Sequence, residues 1–94
     1  MLFAIFMVDK PGMVETRMSL RPQHVEYVMA VKDRITISGP LLSEDGKDQI
    51  GSLLVREWPD RAACEAWIET DPWTKAGVYA TRQIYPFSKS LPKN

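Results

Sequence analysis

The sequence holds little on which a metal, disulfide or nucleic-acid function could rest. It has one cysteine, Cys64, and one histidine, His24. A single cysteine cannot close an intramolecular disulfide or build a multi-cysteine zinc cage. One histidine with a nearby aspartate falls short of a usual ligand set, so no metal is expected. So sparse a use of thiol suits a reduced, cytoplasmic setting. Charge of one sign is missing too. Twelve Lys and Arg balance 12 Asp and Glu, and no stretch concentrates either sign. That argues against nucleic acid as a partner and against a polybasic membrane patch. The apolar run from Leu2 to Val8 is too short for a signal peptide or a membrane span. The five glycines, Gly12, Gly39, Gly46, Gly51 and Gly77, are dispersed. They form no phosphate-cradling loop, and no cofactor is expected.

What is present is an apolar fraction of 45% over 94 residues. That is enough for one core and a single domain spanning 1–94. Leu2 to Val8 reads as a strand that stops at the turn Asp9-Lys10-Pro11-Gly12. Both of its faces are apolar, so both should be covered. Helices of this chain would cover one, and a second copy of the protein the other. Met13 to Ser19 reads as a connection with room for a helical turn. A helix is expected to start near Ser19 to Pro22, where a first-turn proline is tolerated, and to run to about Asp33. His24, Val28 and Val31 fall on one stripe of it. Ile35 to Leu42 is the second strand. Ser38-Gly39-Pro40 interrupts it, suggesting a bulge or edge where something approaches the backbone closely. After a polar hairpin loop, Ile50 to Trp58 is the third strand.

Pro59-Asp60-Arg61 opens the second helix, with Asp60 as its cap. The pattern ends at Asp71-Pro72, because the residue before a proline avoids the helical region. At most one more helical turn fits before Gly77. Val78 to Phe87 is the fourth strand, and Ser88 to Asn94 a loose or partner-embracing tail. The order strand, helix, strand, strand, helix, strand is that of the ferredoxin-like split unit: α+β, a four-stranded antiparallel sheet with two helices on one face. The other face would be a larger apolar patch than soluble monomers usually show. Two sheets packed face to face, a homodimer built as an α+β barrel, would cover it.

His24 is the first candidate for chemistry, since histidine titrates nearest neutral pH. Placed near a helix amino end, it would sit in a positive potential that favours the neutral ring, a base or hydrogen-bond acceptor. Antiparallel neighbouring helices would bring it near Asp71, at the far end of the second helix. There the carboxylate would fix its tautomer and offset charge developing on the ring. The plain alternative is that His24 fills a boundary position and Asp71 merely ends a helix. Arg21 could bind a carboxylate or phenolate, or be a solvated helix residue. Ser38 could donate to a ligand oxygen or only tie down the bulge, and Gly39 beside it would let a ligand reach the backbone. Trp73 and Tyr79 fit core or interface packing better than a ring-binding pocket. Cys64, set among alanines, reads as an inert buried thiol.

Three segments, Arg21-Pro22-Gln23-His24, Ser38-Gly39-Pro40-Leu41 and Asp71-Pro72-Trp73-Thr74-Lys75-Ala76-Gly77-Val78, resemble in order and spacing the YCII-related (YciI-like) domain family. The resemblance covers nearly the whole chain. It implies a ferredoxin-like fold, usually dimeric and related in architecture to muconolactone isomerase. It implies an active-site histidine and aspartate matching His24 and Asp71, with Ser38 nearby. The activity it implies is proton transfer on a small ring compound, as in dehydrochlorination of a chlorinated hydroxyquinol. The function expected is a small cofactor-independent acid/base enzyme of isomerase, lyase or dehydrochlorinase type, acting on a small metabolite. A non-catalytic module that binds a small molecule, or a purely structural dimerisation domain, stands as the alternative.

Overall fold

In the computed structural model, which describes residues 1–93, the elements follow the expected order. They are β1 (Leu2–Asp9), α1 (Val14–Met29), a 3-10 turn (Lys32–Arg34), β2 (Ile35–Leu42), β3 (Gln49–Glu57), α2 (Arg61–Glu69), α3 (Pro72–Lys75) and β4 (Tyr79–Phe87). The strands form one antiparallel sheet in the order β2-β3-β1-β4. This is the ferredoxin-like α+β architecture.

Residues paired directly across antiparallel strands share a face. Ile5 lies opposite both Leu54 and Ile84. With Phe3, Met7 and Trp58 they form the core beneath α2, closed by Cys64 and Ile68 from that helix. Asp60 caps α2 as expected, accepting a 2.8 Å hydrogen bond from the Ala63 amide. The opposite sheet face carries Phe6, Val8, Ile37, Tyr85 and Phe87, between 37% and 56% exposed. The apolar alternation on β1 is therefore satisfied by this chain on one side only.

The first helix differs from expectation. It begins at Val14, and Pro22 stands inside it. Proline within a helix costs about 3 kcal/mol by removing an amide donor and crowding the turn before it. Here the preceding turns are anchored from outside. Arg17, fully buried, bonds to the ends of β1 and β3, and its carbonyl accepts the Trp73 indole N–H at 2.9 Å. Tertiary anchoring overrides the local start signal. His24 consequently sits in the third turn of α1, beyond reach of the field at the helix start, which fades within one turn.

β2 is an edge strand, where the missing amide of Pro40 is cheapest. Its irregularities flank the Ser-Gly-Pro segment, between Ile35 and Ile37 and between Leu41 and Leu42. The close backbone approach lies elsewhere. A Cβ on Gly51 would fall 2.4 Å from the Met7 carbonyl oxygen, whereas one on Gly39 would meet nothing within 4 Å.

Burial pushes the Cys64 thiol up from 9.0 to about 11. The folded chain thus holds this proton more tightly than the unfolded one. Its contribution to stability is complete below pH 9 and is lost as the pH rises towards 11. Urea unfolding across that range is expected to show a decline in wild-type stability that is shallower in Cys64→Ala.

Candidate active site

Three contacts hold α1 against α2 and α3 along one stripe of its surface. Arg17 accepts from the Trp73 indole. Seven residues on, His24 Nδ1 lies 3.0 Å from Asp71 Oδ1. Tyr27 then donates its hydroxyl to the Trp67 carbonyl at 2.6 Å and stacks on the Trp67 ring. Spacings of seven and ten residues return to the same helix face.

Asp71 performs two jobs with one oxygen. It is the N-cap of α3, and its Oδ1 accepts from the Trp73 amide at 2.9 Å as well as facing His24. Pro72 follows in the first turn, where its fixed φ suits a helix start. The single turn of α3 carries Trp73 onto the histidine. The two rings stack with centroids 3.6 Å apart at 16°. Asp71 is completely buried, whereas the His24 side chain keeps 16% of its surface exposed. With the carboxylate facing Nδ1, that nitrogen carries the proton, and Nε2 is the basic position.

His24 opens onto a cavity of about 270 Å³, close to the lower end of the range for small-molecule sites. Arg21, Ser38, Gly39 and Asp71 line the same cavity. The five residues singled out in the sequence therefore converge. Ser38 reaches it because it lies opposite Leu54 on β2, on the helix-covered face. Arg21, Ser38 and Gly39 are exposed and form its outer part. Met7, Val28, Leu54 and Trp67 supply apolar wall. Trp73 has both of the roles set against each other: it is 3% exposed and it lines the cavity.

Sequence reasoning missed the polar layer behind these residues. Arg17 Nε donates to Asp9 Oδ2 at 2.8 Å, and Nη2 donates to the Gly51 carbonyl and the Ser52 hydroxyl. Ser52 in turn lies 3.1 Å from the Tyr79 hydroxyl. Burial raises the Asp9 carboxyl above its ordinary range, against the opposing pull of Arg17. Burial and the Asp71 charge raise the Tyr79 phenol. The available signal was the seven-residue separation of Arg17 and His24, hidden once Pro22 was read as a helix start. Among the described residues, no group of three or more His, Cys, Asp or Glu could hold a metal ion. Among the same residues, no helix is long and apolar enough to cross a membrane.

Fold and cavity define a small ferredoxin-like α+β protein with an imidazole–carboxylate pair opening on a ligand-sized space. The family model of the YCII-related domain matches residues 1–88, and the chain belongs to that family. Protein YciI of Escherichia coli is 33% identical over 95% of this chain and 98% of its own length. An uncharacterised protein of Haemophilus influenzae is 29% identical over the same shares. Among solved structures, 5-chloro-2-hydroxyhydroquinone dehydrochlorinase from Burkholderia phenoliruptrix, in complex with 2,5-dihydroxybenzoquinone, superposes with a TM-score of 0.88. It is 33% identical over 94% of each chain. A protein described as an antibiotic biosynthesis monooxygenase shares the fold alone, with a TM-score of 0.53 at 21% identity over 98% of this chain and all of its own. The likeness to the dehydrochlorinase supports a small-molecule enzyme of the YCII-related family.

The double duty of Asp71 separates two substitutions. Asp71→Ala removes the cap and the histidine's partner, and is expected to cost about 1–3 kcal/mol. Asp71→Asn keeps an acceptor at Oδ1 and should change stability by less than about 1 kcal/mol. Thermal and urea unfolding of the two variants check this.

Proposed function

We propose that the protein is a cofactor-independent enzyme in which His24 moves a proton on a small, oxygen-bearing ring compound held in the cavity. The observation that carries this reading is the 3.0 Å contact between His24 Nδ1 and Asp71 Oδ1 at the cavity wall. Asp71 holds the proton on Nδ1, so Nε2 takes or returns a proton of the substrate. As the ring becomes cationic, the buried carboxylate and the stacked face of Trp73 offset its charge. Ser38 and Arg21 at the outer part, with the open backbone at Gly39, hold a substrate oxygen. The reaction type is an isomerisation, elimination or other lyase step. In a dehydrochlorination the substrate loses H⁺ and Cl⁻: the proton goes to His24, and chloride leaves with the electron pair of the broken C–Cl bond. The likeness to the dehydrochlorinase makes 5-chloro-2-hydroxyhydroquinone the first compound to assay, by chloride release.

His24→Gln and His24→Ala are expected to lower kcat by about 100-fold or more, the usual range for a lost general acid/base, with the fold retained by circular dichroism. Full turnover by either variant on a compound the wild type converts would refute the mechanism. Tight binding by the wild type without turnover of any related ring compound would favour a binding module.

The working unit proposed is a homodimer of single-domain chains, formed through the open sheet face. Support comes from Phe6, Val8, Ile37, Tyr85 and Phe87 lying exposed together on that face, a patch of the kind that interfaces cover. Light scattering is expected to give twice the chain mass for the wild type and a shift towards the monomer for Phe6→Glu.

A further inference from the structure

The cavity at His24 is larger than one small ring requires, and its polarity is unevenly spread. An apolar cavity of about 150 Å³ takes a benzene molecule. The space here is about 270 Å³, so a single six-membered ring leaves close to half of it unfilled.

Strand register and helix rise give the cavity a direction. On the sheet, Ser52 lies opposite Pro40, and Leu54 lies opposite Ser38. The wall passes from a hydroxyl to a leucine over two residues, about 7 Å of strand. Arg17 reaches Ser52 from the earlier part of α1. Further along that helix, Val28 stands one turn, about 6 Å, beyond His24. From the other side, Asp71 faces His24, whereas Trp67 stacks on Tyr27, beside Val28, and packs against the core that holds Leu54. Polar groups thus gather at the His24 end. Val28, Met29, Leu54 and Trp67 form the other end, with Ser38 on the edge strand at its rim.

The proton transfer assigned to His24 uses nothing at that second end. Val28 and Trp67 are half-buried there, and Met29 is 53% exposed. Apolar side chains scattered singly over a surface need no partner, but a concave group of them continuous with a ligand-sized cavity is a binding wall. We propose that the substrate carries an apolar arm, about four carbons long to match one helical turn. The arm lies on Val28, Met29, Leu54 and Trp67 while the oxygen-bearing ring faces His24. This assignment rests on the acid/base reading for the position of the ring, and it specifies the substrate class of the same site. Burying the arm fixes which ring atom stands before Nε2, and its binding energy holds the ring in place while the proton moves.

The test titrates phenol and its 4-methyl, 4-ethyl, 4-propyl and 4-butyl homologues into the protein by calorimetry at neutral pH. Wild-type affinity is expected to rise about fourfold for each methylene buried. Val28→Phe fills the second end. It is expected to flatten the rise to less than about twofold per methylene, while the affinity for phenol itself changes by less than about threefold. His24→Gln is expected to lose turnover and keep the rise. Failure of the acid/base reading therefore shows in turnover, and failure of this one in the dependence on chain length. Should Val28→Phe fail to fold, a crystal structure of the wild type with 4-butylphenol decides, with the butyl chain expected against Val28 and Trp67. A flat series, a rise that survives Val28→Phe, or binding of no homologue at millimolar concentration would overturn the assignment. So would a butyl chain seated on the open sheet face or turned to solvent, or a second end filled by the chain's own tail or by a second copy.

Discussion

The structure depends on a guanidinium sealed between the first helix and the sheet. Arg17 reaches Asp9 at the end of β1 and Gly51 and Ser52 on β3. A buried cation is tolerable only when its partners are held in place. Satisfying it fixes the height and rotation of α1 over the strands. Once those are fixed, a residue two turns along the helix has little choice of position, and that residue is His24. Gly51 belongs to the same constraint. Its carbonyl accepts from Arg17 at a point where a side chain would collide with the Met7 carbonyl of β1.

Trp73 joins this anchor to the candidate chemistry. Its indole N–H holds the Arg17 carbonyl, its ring meets the Arg17 guanidinium, and it stacks on His24. Tyr79 stands edge-on to it at 6.4 Å. Kept protonated by burial, that phenol shares a hydrogen bond with Ser52 and adds no charge. One helical turn and one strand end therefore seat a cation, an imidazole and a carboxylate around an aromatic plane. The apolar surroundings strengthen each electrostatic contact relative to water.

Much of this was legible in the residues. Alternation and turn signals located the strands to within a residue or so, because β1 and β3 are short, apolar and bounded by polar turns. Asp60 announced the start of α2 through its side-chain chemistry, whereas Asp71 was legible only as the end of that helix, and its capping of α3 came from the structure. Family resemblance, more than pattern, paired His24 with Asp71 across nearly half the chain. The helix start was misread because Pro22 is a strong local signal, while its compensation lies in contacts to Asp9, Gly51, Ser52 and Trp73, far away in sequence. The same misreading hid Arg17, since a residue thought to lie in a connection draws no attention as a buried cation. No local rule could place the tight approach at Gly51 instead of Gly39, because that depends on which strands become neighbours.

The sharing of Asp71 between cap and histidine has an evolutionary corollary. The carboxylate starts α3, so folding alone gives selection a reason to keep it. The imidazole has a lighter structural post: it adds one of three contacts between α1 and the following helices, but it is partly exposed and rests on Trp73 without closing the core. On the proposed mechanism, a descendant released from that reaction would be free to drift at His24 while the aspartate stayed. The pair would decay from one side, and an orphaned aspartate ahead of Pro-Trp would be the relic of a retired enzyme.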